Sequence, residues 1–258
     1  MSKRSIIWFR RDLRISDHPA LLAAISESSE IVPVFILDPK LIKTGGSKRL
    51  AYLGQSLRAL DESLGNNLQV IAGDQLTVLK DLQKKYDAES VHISAEYEPY
   101  GATRDKNIEE GGIKLIRTGS PYAVAPGRVL KPSDNTPYRV YTPFYKAWCA
   151  HGWRKPAEKP KEIPAVKPSS EAREFPDWKL PDGVKLTKAG ELAALERFKY
   201  FQKNGLASYD EARNLAAIDG TSKMSAHLKW GEIHPRTLLA PLGESKAHDV
   251  FRKEIAWR

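Results

Sequence analysis

The sequence predicts an α/β protein: a doubly wound, five-stranded parallel sheet, followed by a long linker and the start of an all-α unit. Three observations carry this. Short β-branched runs alternate with helical patterns over the first 120 residues, the sequence form of a parallel sheet covered by helices. Eleven of the seventeen prolines then fall between Pro121 and Pro181, a composition suited to covering a surface or spanning two domains. Helical periodicity resumes at about Lys188. Residues 1–125 are accordingly assigned to an α/β domain, 126–187 to a proline-rich linker and 188–258 to a partial helical domain.

Ser5–Phe9, Ile31–Leu37, Leu68–Ala72, Ser90–Ser94 and Lys114–Arg117 read as the five strands. Asp17 and Pro19 open the first helix, since proline suits a first turn whose N–H groups have no partner. The strongest helix runs from about Lys48 to Leu64, where Leu50, Leu53, Leu57, Leu60 and Leu64 form one apolar stripe. Ser47 is its predicted N-cap and Gly65 its stop. Beyond the linker, Leu192, Leu195, Phe198 and Phe201 are predicted to share one side of a helix ended by Gly205.

Composition narrows the function classes. A single cysteine, Cys149, excludes an internal disulfide framework, and no apolar run reaches the roughly 18 residues of a membrane span. The N-terminus has no cleavage-like segment, so a reduced, cytoplasmic protein is expected. The net charge of +9 divides unevenly, +1 over residues 1–120 and +8 over 121–258. A polyanionic partner and a solvated basic linker both fit that distribution.

Ligands of doubly wound sheets bind beyond the carboxyl ends of the strands. The chain has no G-x-G-x-x-G and no P-loop, which removes the nucleotide-dehydrogenase and kinase readings. Arg10-Arg11-Asp12-Leu13-Arg14 follows the first strand and reads on its own as a solvated loop with a local Arg–Asp pair. Gly220-Thr221-Ser222-Lys223-Met224-Ser225 precedes the helical pattern Ala226–Trp230 that Gly231 closes. Its hydroxyls, lysine and helix start would suit a phosphate, and equally an ordinary cap. His227 and His234 are not at metal-ligand spacing, and no metal is expected.

Taken in order, Trp8-Phe9-Arg10-Arg11-Asp12-Leu13-Arg14, Tyr141-Thr142-Pro143-Phe144 with Trp148, Ala207-Ser208-Tyr209 with Arg213, and Thr221–Ser225 with Leu228, Gly231, Ile233 and Pro235-Arg236 span the chain. Together they resemble the DNA photolyase and cryptochrome family, most closely its class I cyclobutane-dimer photolyases. The resemblance implies a Rossmann-like antenna domain and an all-α FAD-binding domain. It implies that Tyr209, Thr221, Ser222, Lys223, Met224, Ser225 and Phe251 bind FAD, with lysine and methionine at 223 and 224 where arginine and leucine are common. By the same resemblance Arg213, Glu254, Trp257 and Arg258 meet DNA, and Glu254 and Trp257 contact the flipped lesion.

An antenna chromophore is implied near Arg49, Glu96 and Glu98. Folate-binding members commonly carry Asn-Glu where this chain has Tyr100-Gly101, so an 8-hydroxy-deazaflavin is expected over a folate, and an empty pocket is equally compatible. The implied activity is that of a carbon–carbon lyase, a monomer repairing cyclobutane pyrimidine dimers in UV-damaged DNA with light and reduced FAD. A cryptochrome-like signalling protein, a non-catalytic chromophore-binding fragment and repair of the (6-4) photoproduct are the alternatives. Because the family's FAD domain continues beyond the step at Trp257-Arg258, truncation within it is expected. Weak FAD retention and helices without all their partners after about residue 187 would follow.

Overall fold

The computed structural model describes residues 3–257. Its sheet joins Arg4–Phe9 (β1), Glu30–Leu37 (β2), Gln69–Ala72 (β3), Ala88–Ile93 (β4) and Leu115–Arg117 (β5), all parallel, in the order β3-β2-β1-β4-β5. The predicted doubly wound fold is therefore present. Alternation along β1 explains both layers. Ile7 and Phe9 face Pro19–Glu27 (α1) and Ser47–Ser63 (α3), through Leu21, Leu53, Leu57 and Leu60. Ile6 and Trp8 face Gln75–Tyr86 (α4) and Pro99–Glu110 (α5), through Leu79, Leu82 and Ile108. Pro39–Thr44 (α2) lies at the rim after β2.

Two predicted caps shift. Ser47 is the first residue of α3, and Gly46 before it caps only with its backbone, in extended conformation. Asp17 sits in the left-handed region at φ 45°, and the α1 cap is His18, whose Nδ1 accepts from Leu21 N–H at 3.1 Å. Gly65 ends α3 at φ 66°, as a helix stop should.

The proline-rich segment runs beside the sheet. Ile31 exchanges backbone hydrogen bonds with Pro164 (2.8 Å) and Val166 (2.9 Å), and Glu174 N–H donates to Val70 at 2.9 Å. Ile163, Ala165, Phe175 and Trp178 pack on the α3 side of the core. One part of the segment does more: Tyr141–His151 (α6) buries Tyr145 and Trp148 in a second core.

That second core is completed by Glu191–Asn204 (α7), Tyr209–Ala212 (α8), Ser225–Trp230 (α9), Pro235–Leu239 (α10) and Lys246–Ala256 (α11). Ala194, Phe198, Phe201, Leu238, Phe251 and Ile255 form its centre. The predicted α7 stripe is corrected: Leu192 is 73% exposed and Leu195 is exposed too. Steps of three residues fall short of a full turn by about 60° each, so nine residues rotate the stripe by about 180°. Leu192 and Phe201 therefore lie on opposite sides of the helix.

Candidate functional site

Beyond the carboxyl ends of β1 and β2 lies a cavity of about 260 Å³. Arg49 from α3 and Glu96 and Glu98 from the loop between β4 and α5 all line it, together with Trp8, Asp38 and Tyr100. Lys229 and Trp230 of α9 close it from the helical side. Trp8 carries guanidinium groups over its ring, from Arg10 at 4.9 Å and Arg104 at 4.8 Å. Arg10 is buried and donates to Asp105 at 2.7 Å; burial lowers its pKa, while Glu96 and Asp105 support the charge. The Tyr100 hydroxyl donates to Asp38, and burial followed by that bond raises it to about 12. A Cβ at Gly101 would meet the Glu96 carboxylate tip, which would have to swing aside to admit it.

The Arg10–Arg14 loop is not the solvated loop its charge suggests. Arg10, Asp12 and Arg14 are buried. Burial alone would raise the Asp12 carboxyl, but His18 and donors from Arg10 N–H and Ser94 Oγ hold it below the usual range. Arg14 donates to three carbonyls, those of Ser16 (3.0 Å), Asp17 (2.8 Å) and Gly231 (2.9 Å). Leu13 N–H donates to Trp230 C=O at 3.0 Å, and Glu191 accepts from the N–H groups of Ile15 (2.9 Å) and Ser16 (3.0 Å). The loop is thus the dock for the helical half. Gly231, at φ 67°, lies so close that a Cβ would overlap the Arg11 carbonyl.

A second buried tie escaped the sequence reading. Glu232 accepts four hydrogen bonds, from Tyr52 Oη (2.8 Å) and His227 Nδ1 (2.6 Å) on one oxygen, and from Ser56 Oγ (2.5 Å) and Gly190 N–H (2.7 Å) on the other. The only sequence hint was the pair Tyr52 and Ser56, polar residues one turn apart inside an apolar helix.

Thr221–Ser225 leads directly into α9, whose start no side chain caps. Arg197 donates to the carbonyls of Ser222 (3.0 Å) and Thr221 (2.9 Å) and fixes the turn. Lys223 adopts φ 55° and pairs with Asp219 at 2.9 Å. Thr221 and Ser225 are exposed. Exposed hydroxyls, a lysine and an uncapped helix start form a donor set that fits an anionic phosphate. Met224, 1% exposed, anchors the segment in the second core. Phe251, 2% exposed, packs edge-to-face on Tyr209 at 5.2 Å. Both side chains are thus packed into the second core beneath the exposed hydroxyls of the turn.

Helix α11 brings the remaining residues together. Glu254 Oε1 accepts from Arg213 at 2.6 Å, and Arg213 also lies 5.4 Å over the Tyr209 ring. Trp257, at the end of α11, is 65% exposed and stacks on Tyr141 of α6 at 4.0 Å and 4°. A carboxylate beside an open indole face can accept a hydrogen bond from a base edge and stack its ring. Arg258 lies outside the described residues.

Comparisons with known proteins agree with this fold. The family model "DNA photolyase" matches residues 5–165. The deoxyribodipyrimidine photo-lyase of Agrobacterium fabrum is 34% identical over 98% of this chain and 57% of its own length. The crystal structure of a class III photolyase from Agrobacterium tumefaciens superposes with TM-score 0.90 and 32% identity, covering all of this chain and 58% of that one. An archaeal photolyase structure from Sulfolobus tokodaii, with two FAD molecules, matches with TM-score 0.79 and 25% identity over 99% of this chain and 57% of that one. The chain thus spans a little under three fifths of the length of these relatives. The sheet and helical array thus match these structures over the whole of this chain, and the chain belongs to the DNA photolyase family.

Proposed function

We propose that this chain carries the lesion-facing part of a light-dependent lyase that repairs cyclobutane pyrimidine dimers in UV-damaged DNA, with FAD as cofactor. The observation that carries the reading is the cluster of Glu254, Arg213 and Trp257, an anchored carboxylate beside an exposed indole. Glu254 would accept from a thymine N3–H while Arg213 fixes its position, and Trp257 would stack on the flipped base. Thr221, Ser222, Lys223 and Ser225 would hold the FAD phosphates, with Tyr209 nearby. The chemistry supplied by reduced FAD, when bound, is light-driven donation of one electron and its recovery after ring opening. Arg213 and Arg258 would add contacts to the DNA backbone.

The α/β unit (1–125) would serve as antenna domain, joined through 126–187 to the FAD-binding unit (188–258). Its cavity would take a flavin- or deazaflavin-type ring, a preference supported by the second FAD of the archaeal relative. Among the described residues no helix is long and apolar enough to cross a membrane; the setting proposed is a cytoplasmic monomer.

Fluorescence anisotropy with oligonucleotides carrying one thymine dimer, one (6-4) photoproduct or no lesion tests this. The dimer strand should bind at least about tenfold tighter than undamaged DNA, with Glu254→Gln and Trp257→Ala each removing most of that ratio. Equal affinity for all three strands would refute the reading, and preference for the (6-4) strand would reassign the lesion.

A further inference from the structure

The Tyr141–Trp148 motif is still without a role in the site, and its contacts suggest one. Helix α6 runs against α11 in a regular series. Tyr145 Oη donates to Asp249 Oδ1 at 2.5 Å, Tyr141 Oη donates to the Lys253 carbonyl at 2.8 Å, and the Tyr141 ring stacks on Trp257. The α11 partners are spaced by four residues, one turn each, so they share one face of the helix and its extension. Behind Tyr141 the rings continue inward, with Tyr145 at 5.9 Å and Trp148 a further 6.3 Å away, both buried.

Trp257 caps the end of α11, its backbone N–H still bonded to the Lys253 carbonyl at 3.1 Å, while its side chain stands out from the buried face of the helix. An indole there would lose rotamer freedom on stacking with a base unless something had already fixed it. Tyr141 does so from one side, in near-parallel contact, and leaves the ring 65% exposed. Its hydroxyl also donates to the Lys253 carbonyl, and the position of the ring is set by α6, which is held by its buried Tyr145 and Trp148.

We propose that Tyr141 is a positioning residue for lesion recognition: it holds the Trp257 indole flat and pre-ordered, so that the open face stacks on a flipped-out pyrimidine. The inference rests on the dimer-binding reading above. It gives the Tyr141–Trp148 motif a function, transmitting the rigidity of the second core to the one exposed ring of the site.

The test combines two variants with a measurement on the unaltered chain. Tyr141→Phe keeps the ring and should retain dimer selectivity within about twofold, whereas Tyr141→Leu removes the ring and should lose about tenfold. The Trp257 indole N–H resonance, assigned by its absence in Trp257→Phe, should lose its ring-current shift in Tyr141→Leu and keep it in Tyr141→Phe. In the wild type, nuclear Overhauser contacts between the two rings should persist when the dimer oligonucleotide is added, a readout that does not depend on any variant folding. Loss of those contacts on binding, or full selectivity in Tyr141→Leu while Trp257→Ala has lost it, overturns the inference. Full selectivity in Trp257→Ala would instead overturn the dimer-binding reading on which it rests.

Discussion

A carboxylate removed from water needs donors to replace the ones it gave up, and Glu232 has four. Glu232→Gln would turn an amide N–H₂ toward existing donors, and urea denaturation should show a loss of about 3–5 kcal/mol. His234 makes a separate pH prediction. Arg236 N–H donates to its Nδ1 at 3.1 Å, so Nε2 carries the proton that goes to Ser120 C=O at 2.9 Å. Burial, then the nearby Arg14 and Arg236, lower its pKa well below 6.5, although Asp17 lies 3.2 Å from Nδ1. The folded state thus resists a proton that the unfolded chain accepts. Stability from this group is complete above about pH 6.5 and falls as pH drops from there toward the folded pKa, by up to about 1.4 kcal/mol per pH unit for one proton. Denaturation midpoints measured from pH 7.5 to 5.5 should show that slope, and His234→Gln should flatten it.

Among the elements, strands and crossover helices were legible because β-branched runs and leucines three and four apart each suit one backbone. The α7 face was misread because four apolar residues spaced strictly by three trace a spiral, and only tertiary packing shows which part of it is buried. Leu192→Glu should therefore change stability by no more than about 0.5 kcal/mol, while Phe198→Ala should cost about 3–5 kcal/mol by thermal or urea unfolding. Helix α6 lay in a proline-rich segment, and its cluster of Tyr141–Phe144 with Trp148 was visible without its partner. What that cluster packs on, α11, lies a hundred residues further along, beyond any local pattern.

Across the whole molecule, two cores meet at the Arg10–Ser16 loop. Its charges looked solvated because the groups that bury them, Glu191, Trp230 and Gly231, are distant in sequence. The same contacts carry α9 from the Thr221–Ser225 turn to the cavity it closes, so both candidate ligand sites depend on this dock. Gly231→Ala forces a Cβ into the Arg11 carbonyl at a positive φ. It should destabilise the chain by more than about 1 kcal/mol and open the cavity to proteolysis at 227–231, read by limited digestion. The residues of the proposed lesion face were legible only through their family pattern, since a glutamate and a tryptophan near a helix end have no distinctive spacing of their own. The most direct measurement is light-dependent repair: a thymine-dimer oligonucleotide is incubated with the protein, excess FAD and a reductant, and residual dimers are counted by chromatography. Blue light should restore the thymines, darkness should not, and Trp257→Ala should slow the loss of dimers. Equal dimer content in light and dark would contradict the account.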